Sequence, residues 1–223
     1  MERLEDNACV VLLSGGLDST TLLGHAKQTQ AEVVAVGFNY GQRHVKELTQ
    51  AQQIAQHYEV QFLEIEMGFM SRLLKSALTT RDIEVPEGHY TDESMKATIV
   101  PMRNAIMLSI ACGIALSRGA RRVLTAVHAG DHPIYPDCRP EFIYSFEEMA
   151  RTGTDSDIII EAPFLRMEKS DIVMFGTRIG VPYDLTWSCY QGRELHCGKC
   201  GTCVERKEAF EVANVFDPTV YNA

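Results

Sequence analysis

The sequence lacks the features that mark exported, membrane-spanning and nucleic-acid-binding proteins. No apolar run approaches the roughly 20 residues that cross a bilayer, and the N-terminus "MERLEDNACVVLL" lacks the regions of a signal peptide. Basic residues are outnumbered by acidic ones, 21 to 30, which gives a net charge of −9. A broad phosphate-backbone interface needs clustered positive charge, so no nucleic acid partner is expected. These absences predict a cytoplasmic protein without membrane contact.

The seven cysteines are an odd number in a chain without an export signal, which favours metal binding or catalysis over disulfides. Four of them fall within "TWSCYQGRELHCGKCGTC", namely Cys189, Cys197, Cys200 and Cys203. Four thiolates at this spacing are typical of a closed, tetrahedral, structural zinc site. A redox dithiol and an iron–sulfur cluster are the alternatives that the count leaves open. Cys9 and Cys112 are expected to be buried and inert, whereas Cys138 lies in a loop where it could contact a substrate.

Short apolar runs alternate with segments of helical periodicity along the chain. The runs predict strands at Cys9–Leu13, Ala31–Phe38, Val60–Glu66, Arg121–His128 and Ser156–Pro163. Helices are predicted at Thr20–Gln30, Val45–Tyr58, Arg103–Ala120, Pro140–Thr152, Lys169–Gly180 and Val204–Asn214. The segment from Leu78 to Val100 is polar and irregular, which predicts a long loop. The alternation indicates an α/β fold with an open, mostly parallel five-stranded sheet and helices on both faces.

A glycine-containing loop, "SGGLDS", joins the first predicted strand to the first helix. Gly15 and Gly16 allow a tight turn and a close approach to an anion, and the helix amides then face that anion. Ser14 and Ser19 add hydroxyl donors. Asp18 is expected either to cap the helix or to meet phosphates through magnesium. The loop has neither the lysine of a Walker A motif nor the G-x-G-x-x-G spacing, and an ordinary turn is the alternative.

The stretch "VVLLSGGLDSTTLL" resembles the pyrophosphate-loop ATPases, which have an adenine nucleotide α-hydrolase-like fold. This resemblance implies that ATP is cleaved between its α- and β-phosphates to give an adenylated substrate and pyrophosphate. It also implies nucleotide contacts, with magnesium near the aspartate, by Leu13, Ser14, Gly15, Gly16, Asp18, Ser19 and Thr20. Residues 1–180 are therefore expected to form a nucleotide-binding domain with substrate loops, and residues 181–223 a zinc-binding C-terminal appendage.

Three further stretches, "NYGQRHVKE", "VPMRN" and "YPDCRPEFI", occur in the same order as in one family of these ATPases. Together with the cysteine stretch they resemble the QueC-type 7-cyano-7-deazaguanine synthases of queuosine biosynthesis, from Cys9 to about Pro218. The resemblance implies an ATP-dependent carbon–nitrogen ligase that turns 7-carboxy-7-deazaguanine and ammonia into a nitrile. An adenylated carboxylate and an amide are the implied intermediates. Small-molecule substrates, ATP, magnesium, zinc and a homodimer are implied as well.

The same resemblance implies the roles of individual residues. Catalytic roles are expected for Arg103, Asp131, Asp137 and Lys169. Substrate contacts are expected from Tyr40, Arg103, Asp131, Tyr135, Asp137 and Arg139. In this scheme a carboxylate pairs with the guanine-like N–H edge, and Arg139 holds the substrate carboxylate. The alternatives are a surface role for Arg103, turn formation at Asp137 and a solvated Lys169.

One loop departs from the pattern of many family members. The stretch "AVHAGDHPI" carries His128 and His132 where other members have a "CETDFSG"-like sequence, and only Asp131 aligns. The two histidines are either acid–base groups near neutral pH or packing and solvent residues. Three alternative functions therefore stay open: a ligase that uses another amine, a tRNA-thiolating enzyme and a non-catalytic, zinc-stabilised nucleotide-binding module.

Overall fold

The computed structural model describes residues 7–43, 46–80, 82–88, 95–192 and 194–222. The predicted start of the second helix at Val45 lies outside these ranges. So do residues 81 and 89–94 of the predicted long loop. All of the candidate site residues lie inside the described ranges.

The five predicted strands form one sheet. They are β1 (Ala8–Leu12), β2 (Glu32–Asn39), β3 (Gln61–Glu66), β4 (Arg122–Leu124) and β5 (Ile159–Glu161). Their order is β3-β2-β1-β4-β5, and every pairing is parallel. In the centre, Val10 of β1 pairs with Val34 of β2 and Val123 of β4. The strand order reverses at β1, because the chain adds β2 and β3 on one side of it and β4 and β5 on the other. Open parallel sheets form their ligand clefts at such a point.

The described residues contain seven α-helices: α1 (Leu17–Thr29), α2 (Lys46–His57), α3 (Met70–Leu73), α4 (Arg103–Ser117), α5 (Pro140–Thr154), α6 (Lys169–Arg178) and α7 (Gly201–Val212). Short 3₁₀ turns lie at Lys96–Thr98, Ala129–Asp131, Pro136–Cys138 and Tyr183–Leu185. The last helix begins three residues before its predicted start, so that Cys203 lies in its first turn.

Helices cover both faces of the sheet, as the alternating pattern predicts. Successive residues of β1 point to opposite faces. Ala8 and Val10 belong to a core that includes buried residues of α4 and α5. Cys9 and Val11 belong to a second core, built with α1, α2, α6 and α7. Each face of the central strand is therefore buried, which is the environment that its continuous apolar sequence requires.

The prediction for β4 is wrong at its carboxyl end. The strand stops at Leu124 rather than at His128, although the amide of Thr125 still donates to the carbonyl of Glu161 at 2.9 Å. Residues 125–127 leave the sheet and line a cavity instead. Strand propensity is overridden here because the chain must turn away from β5 to form the edge of the cleft.

The segment Lys96–Ser117 is long and apolar enough to cross a membrane by length and composition alone. Within it, α4 packs against β1 and β4 in the apolar core. A buried core helix of a globular protein can meet the same criteria of length and composition. The helix ends at Ser117, three residues before its predicted end. Gly119 has a φ of +83° and the amide of Ala120 donates to the carbonyl of Ala115 at 2.9 Å, which closes the last turn.

Candidate active site at the carboxyl edge of the sheet

A cavity of about 250 Å³ opens at the carboxyl ends of β1, β2 and β4. Its wall combines the glycine loop, the start of α4, the turn after β4 and the start of α6. The C-terminal segment also contributes, through Trp187, Ser188, Tyr190 and Thr202. Of the residues predicted to bind nucleotide or substrate, the cavity brings together Leu13, Ser14, Gly16, Asp18, Ser19, Tyr40, Arg103, Asp131, Tyr135 and Lys169.

The glycine loop is held in shape by its own hydrogen bonds and by α2. Gly15 has a φ of +88°, and a Cβ added there would lie 2.3 Å from the carbonyl oxygen of Glu47. The hydroxyls of Ser14 and Ser19 lie 3.0 Å apart, and the amide of Gly16 donates to Ser14 Oγ at 3.3 Å. Thr20 does not line the cavity, and its hydroxyl donates to the carbonyl of Gly16 at 2.7 Å. Only glycine therefore suits position 15.

The expectation that Asp18 caps α1 is wrong. The N-cap position is Gly16, which has no side chain, and Asp18 lies in the first turn of the helix. Its Oδ2 atom faces Lys169 Nζ at 3.5 Å and His128 Nε2 at 3.8 Å. Its Oδ1 atom is buried and has no hydrogen-bond partner among the described residues. A buried, unpaired carboxylate oxygen beside a phosphate-binding loop is suited to a magnesium ion.

Lys169 is not solvated. Its Nζ atom donates to Glu205 Oε2 at 2.5 Å, and its side chain is 16% exposed. Although burial lowers the pKa of this amine, the carboxylates of Asp18 and Glu205 raise it above its usual value overall. Lys169 is therefore a fixed cation at the edge of the glycine loop.

His128 is a buried member of the same cluster, with 1% of its surface exposed. Its Nδ1 atom accepts the amide of Gly130 at 3.2 Å, so the ring proton lies on Nε2. That Nε2 atom faces Asp131 Oδ2 at 3.5 Å as well as Asp18. His132 is oriented differently: its Nε2 atom is buried without a hydrogen-bond partner among the described residues, and it does not line the cavity.

At the other end of the cavity, Arg103 lies among aromatic hydroxyls. Burial lowers the pKa of its guanidinium, but Tyr40, Tyr135 and Tyr190 together with Asp137 raise it above its usual value overall. Tyr40 also forms a hydrogen bond with Arg103. Burial raises the pKa of both Tyr40 and Tyr190, so their hydroxyls stay protonated. This end of the cavity therefore presents a cation and neutral donors.

Asp137 and Arg139 do not line the cavity. The Oδ2 atom of Asp137 accepts the amide of Asn104 at 3.0 Å, at the start of α4. Arg139 is exposed, and its Nε atom donates to the carbonyl of His132 at 2.8 Å. Between them, Cys138 lines the cavity, and burial raises the pKa of its thiol well above the usual value. The thiol of Cys138 is therefore protonated, which argues against a role as nucleophile.

The four cysteines of the C-terminal stretch meet in one cluster. Their sulfur atoms all lie within 4.8 Å of one another, and those of Cys197 and Cys203 are 3.9 Å apart. Zn–S bonds of about 2.3 Å in a tetrahedron place the sulfurs roughly 3.8 Å apart. The amides of Lys199 and Cys200 donate to Cys197 Sγ at 3.4 and 3.3 Å. The cluster can therefore bind a metal ion.

The cysteine cluster adjoins the active site, which its position in the sequence did not reveal. The amide of Trp187 donates to the carbonyl of Gly15 at 2.9 Å. From α7, Thr202 lines the cavity and Glu205 accepts a hydrogen bond from Lys169 of the cavity wall. The sequence analysis missed Glu205. A signal was present, because Thr202 and Glu205 are three residues apart and share one face of the helix.

Comparisons with known proteins agree with the fold and the motifs. A model of the "Queuosine biosynthesis protein QueC" family matches residues 8–214. A 7-cyano-7-deazaguanine synthase of Marinobacter nauticus is 46% identical over 215 residues, which cover 96% of this chain and 97% of that protein. The corresponding synthase of Caldicellulosiruptor bescii is 48% identical over 212 residues, covering 95% and 96%.

A distant solved structure shares the fold alone. A 4-thiouridine synthetase in complex with RNA and ATP superposes with a TM-score of 0.55 at 19% identity, over 80% of this chain and 42% of that one. The family model and the relatives, by contrast, span nearly the whole chain, including the glycine loop and the cysteine cluster. The chain therefore belongs to the QueC family of queuosine biosynthesis proteins.

Proposed function

We propose that this chain is an ATP-dependent carbon–nitrogen ligase that converts 7-carboxy-7-deazaguanine and ammonia into 7-cyano-7-deazaguanine. The observation that supports this function best is the shared cavity. The glycine loop, which would bind the phosphates, lies at one end of the cavity. The Arg103 cation and the tyrosine hydroxyls around it lie at the other end. These two ends can bring the α-phosphate of a nucleotide beside a planar carboxylate, as carboxylate adenylation requires.

In the proposed reaction, the two oxygens of the substrate carboxylate are activated and removed one after the other. A carboxylate is a poor electrophile, so its oxygen first attacks the α-phosphorus of ATP and expels pyrophosphate. Ammonia then attacks the acyl carbon and expels AMP, which leaves the amide and releases a proton. The amide oxygen then attacks the α-phosphorus of a second ATP and expels pyrophosphate. AMP departs with that oxygen while the nitrogen loses both protons, which leaves the nitrile. No protein nucleophile is needed, so the enzyme's task is positioning and charge stabilisation.

The glycine loop binds the phosphates in this scheme. The amides of the loop and of the first turn of α1 face the pyrophosphate, as helix N-termini do for anions. The hydroxyls of Ser14 and Ser19 stand beside them. Asp18 would hold a magnesium ion through its unpaired Oδ1 atom, and that ion would neutralise phosphate charge. Lys169 supplies a second positive charge at the same place.

Arg103 binds the substrate carboxylate in our proposal, in place of Arg139. Arg103 lines the cavity, whereas Arg139 is exposed and bonded to the carbonyl of His132. A guanidinium can hold a carboxylate with two parallel hydrogen bonds. Asp131 also lines the cavity and is placed to accept N–H groups of the deazaguanine ring. Asp137 acts by fixing the start of α4 and hence the position of Arg103.

Zinc is the metal we propose for the cysteine cluster. The four sulfur atoms lie within 4.8 Å of one another, a separation that tetrahedral zinc–sulfur ligation requires. Four sulfur ligands close the coordination shell, so the metal serves the structure and not the reaction. We also propose, from the family resemblance, that the protein is a cytoplasmic homodimer. A mass twice that of the chain in light scattering would support the dimer, and a monomer mass would contradict it.

The test is product analysis. The purified protein is incubated with ATP, Mg²⁺, ammonium and 7-carboxy-7-deazaguanine, and the products are identified by mass spectrometry. The proposal predicts the amide as an intermediate and the nitrile as the product, with both absent when ATP is omitted. Neither compound appearing, or coupling to an amine other than ammonia, would contradict it.

A further inference from the structure

Glu205 contacts Lys169, a residue of the cavity wall, from the helix that follows the cysteine cluster. It lies two residues after Cys203, in α7. Its Oε2 atom accepts a hydrogen bond from Lys169 Nζ at 2.5 Å. Its Oε1 atom lies 3.7 Å from the point where a side chain on Gly130 would begin. Glu205 is therefore wedged between Lys169 and the turn that carries His128 and Asp131.

Lys169 lies closer to one of its two carboxylate partners than to the other. The contact with Glu205 is 2.5 Å, while that with Asp18 is 3.5 Å. The side chains of Lys169 and Glu205 are only 16% and 14% exposed, so water cannot replace either partner easily. The closer carboxylate therefore decides where the ammonium group lies, and it holds that group away from Asp18.

We infer that Glu205 is a positioning residue for the proposed ligase reaction, on which this inference rests. By anchoring Lys169, it keeps the lysine from closing onto Asp18, whose Oδ1 atom then stays free for a cation bound with the nucleotide. It also keeps the ammonium group at the edge of the glycine loop, where it faces phosphate oxygens. Without the Glu205 charge, Lys169 moves onto Asp18 and competes with magnesium for that carboxylate.

The cysteine cluster contributes to this arrangement. Cys200 is the N-cap residue of α7 and Cys203 lies in its first turn. A metal ion bound by the four sulfurs thus fixes the helix start that carries Glu205. The cluster takes no part in the reaction, but it sets the position of the Glu205 carboxylate, which anchors Lys169.

The first experiment compares wild-type protein with Glu205→Gln and Glu211→Gln. Residue 211 supplies an exposed carboxylate on the same helix and serves as the matched control. ATP binding is titrated with Mg²⁺, and kcat is measured for nitrile formation. Glu205→Gln should raise the half-saturating Mg²⁺ concentration several-fold and lower kcat roughly 100-fold. Its metal content should stay that of wild type, and Glu211→Gln should match wild type in every measurement.

The second experiment asks whether Glu205 acts through Lys169. If it does, Glu205→Gln causes no further loss of kcat and no further change in Mg²⁺ dependence once Lys169→Met is present. Losses that multiply in the double variant would overturn the inference, as would wild-type Mg²⁺ dependence in Glu205→Gln. Glu205→Asp keeps the charge, so its half-saturating Mg²⁺ concentration should lie close to that of wild type. An aspartate variant as impaired as the glutamine variant would also overturn it.

Binding of ATP and Mg²⁺ requires no deazaguanine. A wild-type protein that binds both but forms no nitrile would therefore contradict the proposed function, while the comparison of the Glu205 variants by binding would still decide the role of Glu205.

Discussion

At the scale of single residues, the site depends on a few positions whose surroundings permit only one kind of side chain. Gly15 is in the left-handed region, in contact with the backbone of α2. Arg103 is surrounded by three tyrosines, and Arg206 is 1% exposed and forms a two-pronged ion pair with Asp217. Each of these positions gives a prediction, for which a residue of the same type elsewhere in the chain serves as the control.

Gly15→Ala should abolish ATP binding. An alanine in the left-handed region costs about 1–2 kcal/mol, and its Cβ would lie 2.3 Å from the carbonyl oxygen of Glu47. The loop must therefore move away from α2 and lose its shape. Isothermal titration with ATP and Mg²⁺ measures the loss. The control is Gly113→Ala in α4, where no atom lies within 4 Å of the added Cβ. That change should keep binding and raise stability by roughly 0.5–1 kcal/mol.

Arg103→Lys should lower kcat/KM for the deazaguanine carboxylate while the protein stays folded. A lysine keeps the charge but loses the planar pair of donors, and a charged hydrogen bond contributes about 1.5–3 kcal/mol. The expected loss is roughly 10- to 150-fold. Steady-state kinetics measure it, with the exposed Arg121→Lys as the control, whose side chain is 70% exposed. Equal kinetics for the two variants would remove Arg103 from the substrate site.

Arg206→Met should destabilise the protein by about 3–5 kcal/mol, because the partly buried Asp217 then loses its cationic partner. Urea unfolding measures the change, and the exposed Arg178→Met should stay near wild type. Burial raises the pKa of Asp217, but Arg206 and the hydroxyl of Tyr221 lower it overall below 3.8. The stability from this pair is therefore present above pH 3.8 and is lost as the pH falls further. Arg206→Met should lose that part of the acid sensitivity, and a variant unfolding as steeply below this pH as wild type would contradict the assignment.

At the scale of elements, α7 and the cysteine cluster act together on a cavity built by the sheet. The cluster lies at the start of α7, whose Thr202 lines the cavity and whose Glu205 bonds to Lys169 of the cavity wall. The cluster also packs on Trp187, whose amide donates to the glycine loop. The cysteine cluster thus lies directly against the glycine loop.

Cys203→Ser should release the metal and lower Tm before it changes substrate choice. Three sulfurs cannot close a tetrahedral shell, and the binding energy of a structural metal is part of the folding energy. Atomic absorption and thermal unfolding measure the two losses. Cys112→Ala, which removes a buried thiol of α4 far from the cluster in sequence, should keep the metal. A folded, metal-replete Cys203→Ser protein without turnover would instead place the cysteines in the reaction.

At the scale of the whole molecule, the fold could be predicted from sequence, whereas the long-range contacts of the site could not. The alternation of apolar runs and helical patterns predicts all five strands and the two covered faces, because both follow from local periodicity. The four sulfurs meet because their close spacing confines them to one loop. Glu205, in contrast, pairs with Lys169 across 36 positions of sequence. The exposed position of Arg139 likewise depends on how the turn after β4 packs. Contacts of this kind are set by tertiary packing, which local patterns do not contain.

The central claim is that the carboxylate is activated by adenylation in the shared cavity, and oxygen labelling tests it most directly. The wild-type protein is given 7-carboxy-7-deazaguanine with ¹⁸O in both carboxylate positions, together with ATP, Mg²⁺ and ammonium. An attack of the carboxylate on the α-phosphorus carries one of those oxygens into AMP, so the account predicts ¹⁸O-labelled AMP and unlabelled pyrophosphate beside the nitrile. Unlabelled AMP, or ¹⁸O in inorganic phosphate together with ADP, would contradict it.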